Sequence, residues 1–244
     1  MTTVERRRAV ARLLRPFDVG YELIRVGDFG DGGYLVPDDL SKIRACFSPG
    51  VSKQASFEMD LAKRGIQSFM ADASVDGPAE DVPGAVFRKQ HVGPRTERGL
   101  ISLKDWIDEC VPGEGELLLQ MDIEAAEYPV FSSLPSQYLA RFRIIVIELH
   151  RIPSLLMKPK FFDRAKPLLD AISASFTSVH IHTNNVSGQV EITGTAFPRV
   201  VEATFIRNDR VKCRLPKQDL PHKLDSRHNA ARPDIPIPDE WVGL

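Results

Sequence analysis

"LLLQMDIEAAEYPVF", residues 117–131, decides the fold. Leu117, Leu118, Leu119 and Met121 form an apolar run without alternation, the pattern of a strand covered on both faces. Asp122, Glu124 and Glu127 follow immediately. Acids in the first turn of a helix are explained by its dipole, at about 0.3–1 kcal/mol each. That covers Glu124 and Glu127. It covers Asp122 less well, because a carboxylate ending a buried strand is desolvated. A strand, an acid and then a helix make the lip of a crevice in an open α/β sheet, where ligands bind beyond the carboxyl ends of the strands.

Working outward, residues 43–49, 67–73, 85–92, 143–149, 178–184 and 200–207 share the branched and aromatic make-up of strands with 116–123. Helical patterns lie between them. One is capped by Ser52, runs through Phe57, Met59 and Leu61, and stops at Gly65. Another follows the Ser102–Asp105 capping pattern through Trp106, Ile107 and Cys110. Others are expected near 129–141 and 160–175. Strand–helix alternation implies a parallel sheet with helices on both faces. Only about fifteen residues separate 178–184 from 200–207, too few for a helical crossover, so these two should pair antiparallel. The expected fold is α/β: a Rossmann-like seven-stranded, mostly parallel sheet with an antiparallel last strand.

An N-terminal helix precedes it, with Val4, Val10, Leu13 and Leu14 inward and Arg6, Arg7 and Arg8 solvated. A glycine-rich hairpin, "GDFGDGGYLVPDD" at 27–39, comes next. The organisation is therefore helix and hairpin over 1–40, as a lid belonging to the same domain, the sheet domain over 41–207, and a Pro-rich tail over 208–244 lying extended on the surface.

Composition excludes several classes. The net charge of −1 gives no general pull toward nucleic acid or anionic membrane. No apolar stretch approaches the roughly 20 residues of a membrane span. The N-terminus has too short an apolar run for a signal peptide. Three scattered cysteines suit a reducing cytoplasm and offer no CxxC metal spacing. A homo-oligomer is compatible with all of this.

The candidate site residues are read at the strand ends. Gly50 permits a tight turn, and the helix after it offers free backbone N–H groups to a ligand carboxylate or ribose. Asp72, about twenty residues on, is placed to accept hydrogen bonds from a ribose. Asp122, with Ile123 beside it, ends the fourth strand. Glu148 and His150 share a face of the fifth, and His180, His182 and Asn184 share one on the sixth. Such a cluster can bind a divalent ion through Asp122, Glu148 and a His or Asn, or hold a general base.

Together these stretches resemble the FkbM-type, S-adenosylmethionine-dependent methyltransferases. "LLLQMDIEAAEYPVF" is similar to that family's K-M-D-I-E-G-A-E-W signature, and "DGGYLVPD", the "GVS…SFE" turn, "IELH" and "HIHTNN" are similar to a bacterial branch of it. The resemblance spans roughly 20–207 and makes 41–207 a class I methyltransferase domain. Ala125 stands in place of the signature's Gly, which suggests φ < 0 there, and Tyr128 in place of the usual Trp. The resemblance implies a methyl donor held at Gly50, Ser52 and Asp72, with Asp122 and Ile123 near it. It also implies O-methylation of a sugar or glycan-type small molecule. Asp31, Gly32, Gly33 and Tyr34 would close over the cofactor. His150 or His182 would be the base, with Glu148 orienting the ring. A divalent cation, Mg²⁺ or Mn²⁺, would take Asp122, Glu148 and His182. Two other classes compete. A Rossmann-type NAD(P)-binding oxidoreductase lacks its glycine fingerprint here. The other is a catalytically inactive cofactor-binding interaction module.

Overall fold

The structure, a computed structural model, describes residues 1–51, 53–217 and 220–243. Its centre is a seven-stranded sheet: β1 Ala45–Pro49, β2 Gln67–Ala71, β3 Val86–Arg88, β4 Leu117–Met121, β5 Phe142–Leu149, β6 Phe176–Thr183 and β7 Val201–Arg207. The order across the sheet is β6-β7-β5-β4-β1-β2-β3. The neighbours from β5 to β3 run parallel, while β7 is antiparallel to both β5 and β6. The chain thus builds outward from β1 to β3, then returns to β4 on the other side of β1, so the strand order switches between β1 and β4.

Alternate residues of the central strands feed two cores. Phe47, Leu117, Leu119, Met121, Ile145 and Ile147 pack on one side. That side is covered by α1 (Thr3–Leu14), α3 (Leu103–Cys110), α4 (Glu127–Ser133), α6 (Ile152–Met157) and α7 (Pro159–Ser175). Cys46, Leu118, Ile144 and Val146 pack on the other, against Phe57 and Leu61 of α2 (Ser56–Lys63) and Val26, Tyr34 and Val36 of the hairpin. Burial on both faces is why these strands read as unbroken apolar runs.

Several boundaries differ from expectation. Helix α2 begins at Ser56 after Ala55, and Ser52, its expected cap, lies outside the described residues. The expected strand 85–92 breaks after Arg88, where Gln90 N–H turns back to the Arg88 carbonyl; His91–Gly93 then pairs with Leu100–Ser102. The expected helix 129–141 is two pieces, α4 and α5 (Ser136–Leu139), because Leu134 precedes Pro135 and is driven to an extended conformation. In α1 it is Arg6 that is buried, its Nε donating to the Leu156 carbonyl, whereas Val4 is exposed.

The hairpin forms as read, Leu23–Val26 with Tyr34–Pro37, and Thr204 of β7 donates to the Leu35 carbonyl. The tail is not an extended surface strap. Ile235 and Trp241 are buried, the latter in α8 (Asp239–Val242), and the segment before them folds over the carboxyl end of β5 and the facing part of β7. There Ser226 Oγ accepts from Gly30 N–H and the Leu224 carbonyl accepts from Arg25, joining tail to hairpin.

Candidate functional site

Register alone lines up the site. Met121 pairs with Ile147, which puts Asp122 next to Glu148. Glu148 pairs with Glu202 across β5 and β7, and Glu202 with His182 across β7 and β6. Four strands therefore deliver one row, Asp122–Glu148–Glu202–His182. Like charges directly opposite each other are destabilising, so cationic groups are needed, and the chain supplies two imidazoles.

The first is His150. Its Nε2 lies 3.3 Å from Glu148, 3.6 Å from Asp122 and 3.5 Å from Glu124, and its Nδ1 lies 3.5 Å from Glu127. Glu127 opens α4 but turns inward, fully buried, and accepts the His150 backbone N–H at 2.8 Å. Tyr128 donates its hydroxyl to the His150 carbonyl at 2.5 Å. Burial would lower the His150 pKa, but Glu127, Glu148 and Asp122 together hold it above the usual range. Burial raises Asp122 and Glu148, and their mutual repulsion adds to this in Glu148. His150 is thus the proton carrier of the group at neutral pH, and the two carboxyls are the groups nearest to accepting a proton.

The second is His228, from the tail. Its Nε2 lies 2.7 Å from Glu202, whose other oxygen is 3.1 Å from His182 Nδ1, and the two imidazoles stack with ring centroids 5.3 Å apart. Burial would raise Glu202, but His228 and His182 hold it at about 2. Asn184 donates to Glu148 at 3.0 Å and fixes that carboxylate between the two groups. Asp122 Oδ1, Glu127 Oε2 and His228 Nδ1 are buried with no hydrogen-bond partner among the described residues. Each such atom, if left unsatisfied, costs about 1–3 kcal/mol.

Beside Asp122, at the switch between β1 and β4, lies a cavity of about 220 Å³. Gly50 forms its floor. A Cβ on Gly50 would sit 1.5 Å from the Asp122 carbonyl oxygen, and its φ is +87°, so only glycine fits. Asp31, Gly32, Tyr34, Glu58 and Asp122 are among its walls. Beneath it Ser48 contacts both Glu58 and Gln120, and Gln120 donates to the Tyr34 hydroxyl at 3.2 Å. Burial lifts Glu58 to about 7. Ser48 has one proton and two acceptors, an arrangement completed when Glu58 is protonated and donates to Ser48.

The predicted residues divide as follows. Asp31, Gly32, Tyr34, Gly50 and Asp122 line the cavity, and the Ile123 side chain abuts Gly50. Gly33 is buried in the hairpin turn behind it. Asp72 ends β2, and its carboxylate accepts from the Ser74 N–H and hydroxyl, forming a local turn. His182 joins Glu202 and His228, not Asp122 and Glu148, so the anticipated ligand set Asp122–Glu148–His182 is replaced by two adjoining sets, Asp122–Glu148–His150 and His182–Glu202–His228. Ala125 has φ +79° and Glu124 +55°, the reverse of the expected sign, because the chain must turn sharply between β4 and α4. Glu58, Glu202 and His228 went unread. A buried acid in "VVEATFIR" was the only signal for Glu202, and nothing local marked His228. No family model matches this chain, and no curated protein matches it either.

Proposed function

We propose that the protein is an S-adenosylmethionine-dependent O-methyltransferase acting on a hydroxyl of a sugar or glycan-type small molecule. One observation carries this reading: the cavity at the strand-order switch is walled by three acids, Asp31, Glu58 and Asp122, against one lysine, Lys53. Such a wall suits a ligand bearing ammonium and sulfonium charges. A dinucleotide's pyrophosphate lacks its glycine fingerprint here. The strand order, with β7 reversed between β5 and β6, is the arrangement of class I methyltransferases and supports the same reading.

The donor fits the residues present. Gly50 leaves room for close backbone approach, and Asp122 Oδ1, which has no hydrogen bond among the described residues, accepts one from the donor. The volume is below the roughly 300–1,000 Å³ of most ligand sites, so the cavity holds part of the donor and the rest lies outside it. When bound, the donor supplies an electrophilic methyl group. The chain's part is to hold an acceptor oxygen in line and to take its proton, worth about 10²–10⁴-fold. Asp122, desolvated and facing the cavity, takes that proton and becomes neutral, and the His150 imidazolium 3.6 Å away keeps the carboxylate ionised until it does.

Calorimetry with S-adenosylmethionine and with NAD tests the reading. Binding of the first alone is expected. Binding of NAD, or of neither, overturns it.

A further inference from the structure

We propose that His182, Glu202 and His228 form a binding site for a divalent transition-metal ion, clasping the C-terminal segment to the sheet. Two imidazoles and one carboxylate are the donor set that suits Zn²⁺, Fe²⁺, Mn²⁺ or Co²⁺, whereas an oxygen-only set suits Ca²⁺ or Mg²⁺. One donor atom from each of the three lies within 4.8 Å of the others. Bonds of about 2.0–2.2 Å place neighbouring donors on one ion roughly 3 Å apart. The donor–donor distances here are 3.1 Å from His182 Nδ1 to one Glu202 oxygen and 2.7 Å from His228 Nε2 to the other, so an ion gripped through both oxygens of Glu202 meets an imidazole on each side.

Three further features point the same way. Glu148 and Glu202 oppose each other on adjacent strands, and Glu148 Oε1 lies 4.0 Å from His228 Nε2, a fourth ligand within reach. A dication between them relieves this like-charge contact directly. The donors are rigid: His182 and Glu202 are paired in register on β6 and β7, and the side chains of His182, Glu202 and His228 are all at most 10% exposed. The other edge of His182 borders a cavity of about 800 Å³ between β6 and the tail, lined also by Thr183, Ile235 and Ile237, which gives an ion a way in.

The neighbouring Asp122–Glu148–His150 set has a different character. It has one imidazole, already ringed by four carboxylates, and its backbone N–H is bound to Glu127. The proposed ion is independent of the methyl donor, and its test needs no donor.

The full chain, purified without a polyhistidine tag and stripped with chelator, is titrated with Co²⁺. One equivalent should develop visible d–d absorption, Zn²⁺ should displace it one for one, and His150→Ala should retain it. His228→Ala and His182→Ala should each weaken Co²⁺ binding by more than the roughly 10–100-fold that loss of an outer partner causes. On the wild-type chain alone, Zn²⁺ should raise the unfolding temperature and slow tryptic cleavage after Arg227, the exposed residue before His228. Overturning results are no d–d bands in the wild type, bands that persist undiminished in both histidine variants, or a wild-type chain whose unfolding temperature and cleavage ignore Zn²⁺. Each of these would reduce the trio to a hydrogen-bonded clasp.

Discussion

Glu148 and Glu202 stand directly opposite each other on β5 and β7, and both reach His228, at 4.0 Å and 2.7 Å respectively. The tail residue therefore belongs to the electrostatics of the sheet. Without it two buried carboxylates face each other on adjacent strands, and the polar row across β4, β5, β7 and β6 has one imidazole fewer to balance it. The C-terminal segment thus joins the polar row through His228, which ties it to β5 and β7.

His228→Ala should destabilise the fold by about 3–5 kcal/mol, the usual result of leaving a buried charge uncompensated. Adding Glu202→Gln should restore much of that, since the charge itself is then gone. Urea unfolding of the two single variants and the double variant measures the coupling. Additive losses would show that His228 acts by packing alone.

The turn after β4 holds Glu124 and Ala125 both at positive φ. An alanine there carries roughly 1–2 kcal/mol of backbone strain that glycine avoids. Ala125→Gly should therefore raise stability by about 1 kcal/mol, less the added freedom of the unfolded chain. A lower denaturation midpoint would mean the strained geometry is wrong. If the variant gains stability but loses methyl transfer, the strain is part of how Asp122 is aimed.

The sheet was legible because its strands are buried on both faces. Continuous runs such as Leu117–Met121 and Ile144–Ile147 have few other readings, and the acids and histidines at their ends mark the carboxyl edge. Asp122, Glu148 and His150 were singled out as candidates by that rule, and the structure brings them together. Residues that act through register or long-range return were not. Glu202 sits inside a strand and becomes part of the site only through pairing with Glu148 and His182. His228 lies in a segment of irregular backbone with no periodicity to read. The sign of φ at Ala125 was misread because alanine normally avoids the left-handed region, and the sharp β4–α4 turn overrides that preference.

Asp122→Asn keeps the size of the side chain and removes its capacity to take a proton. It should lower methyl transfer by about 10²–10⁴-fold while leaving donor affinity within about tenfold. Gly50→Ala should do the opposite: its Cβ collides with the Asp122 carbonyl, so donor binding and stability fall together. Calorimetry and single-turnover transfer separate the two effects. An Asp122→Asn protein at wild-type rate would remove Asp122 from the base role.

Glu58 gives a pH signature distinct from the row of acids and imidazoles. Its carboxyl titrates at about 7 in the fold against an ordinary 4.5, because burial disfavours the anion more than the Ser48 hydrogen bond favours it. The folded state therefore binds more protons than the unfolded state between those two values, and stability must fall as pH rises through that window. The full loss is about 3 kcal/mol above pH 7 and vanishes below pH 4.5. Glu58→Gln preserves the hydrogen-bond chain from Ser48 to Gln120 and Tyr34 but cannot ionise. It should match the wild type near pH 4.5 and exceed it progressively up to pH 7. Since Glu58 also walls the cavity, a cationic ligand should draw off its proton, so donor binding to the wild type at pH 6 should release a proton into buffer and binding to the variant should not. Calorimetry in buffers of different ionisation enthalpy counts that proton directly, and an equal count for both proteins would place the ligand's charge away from Glu58.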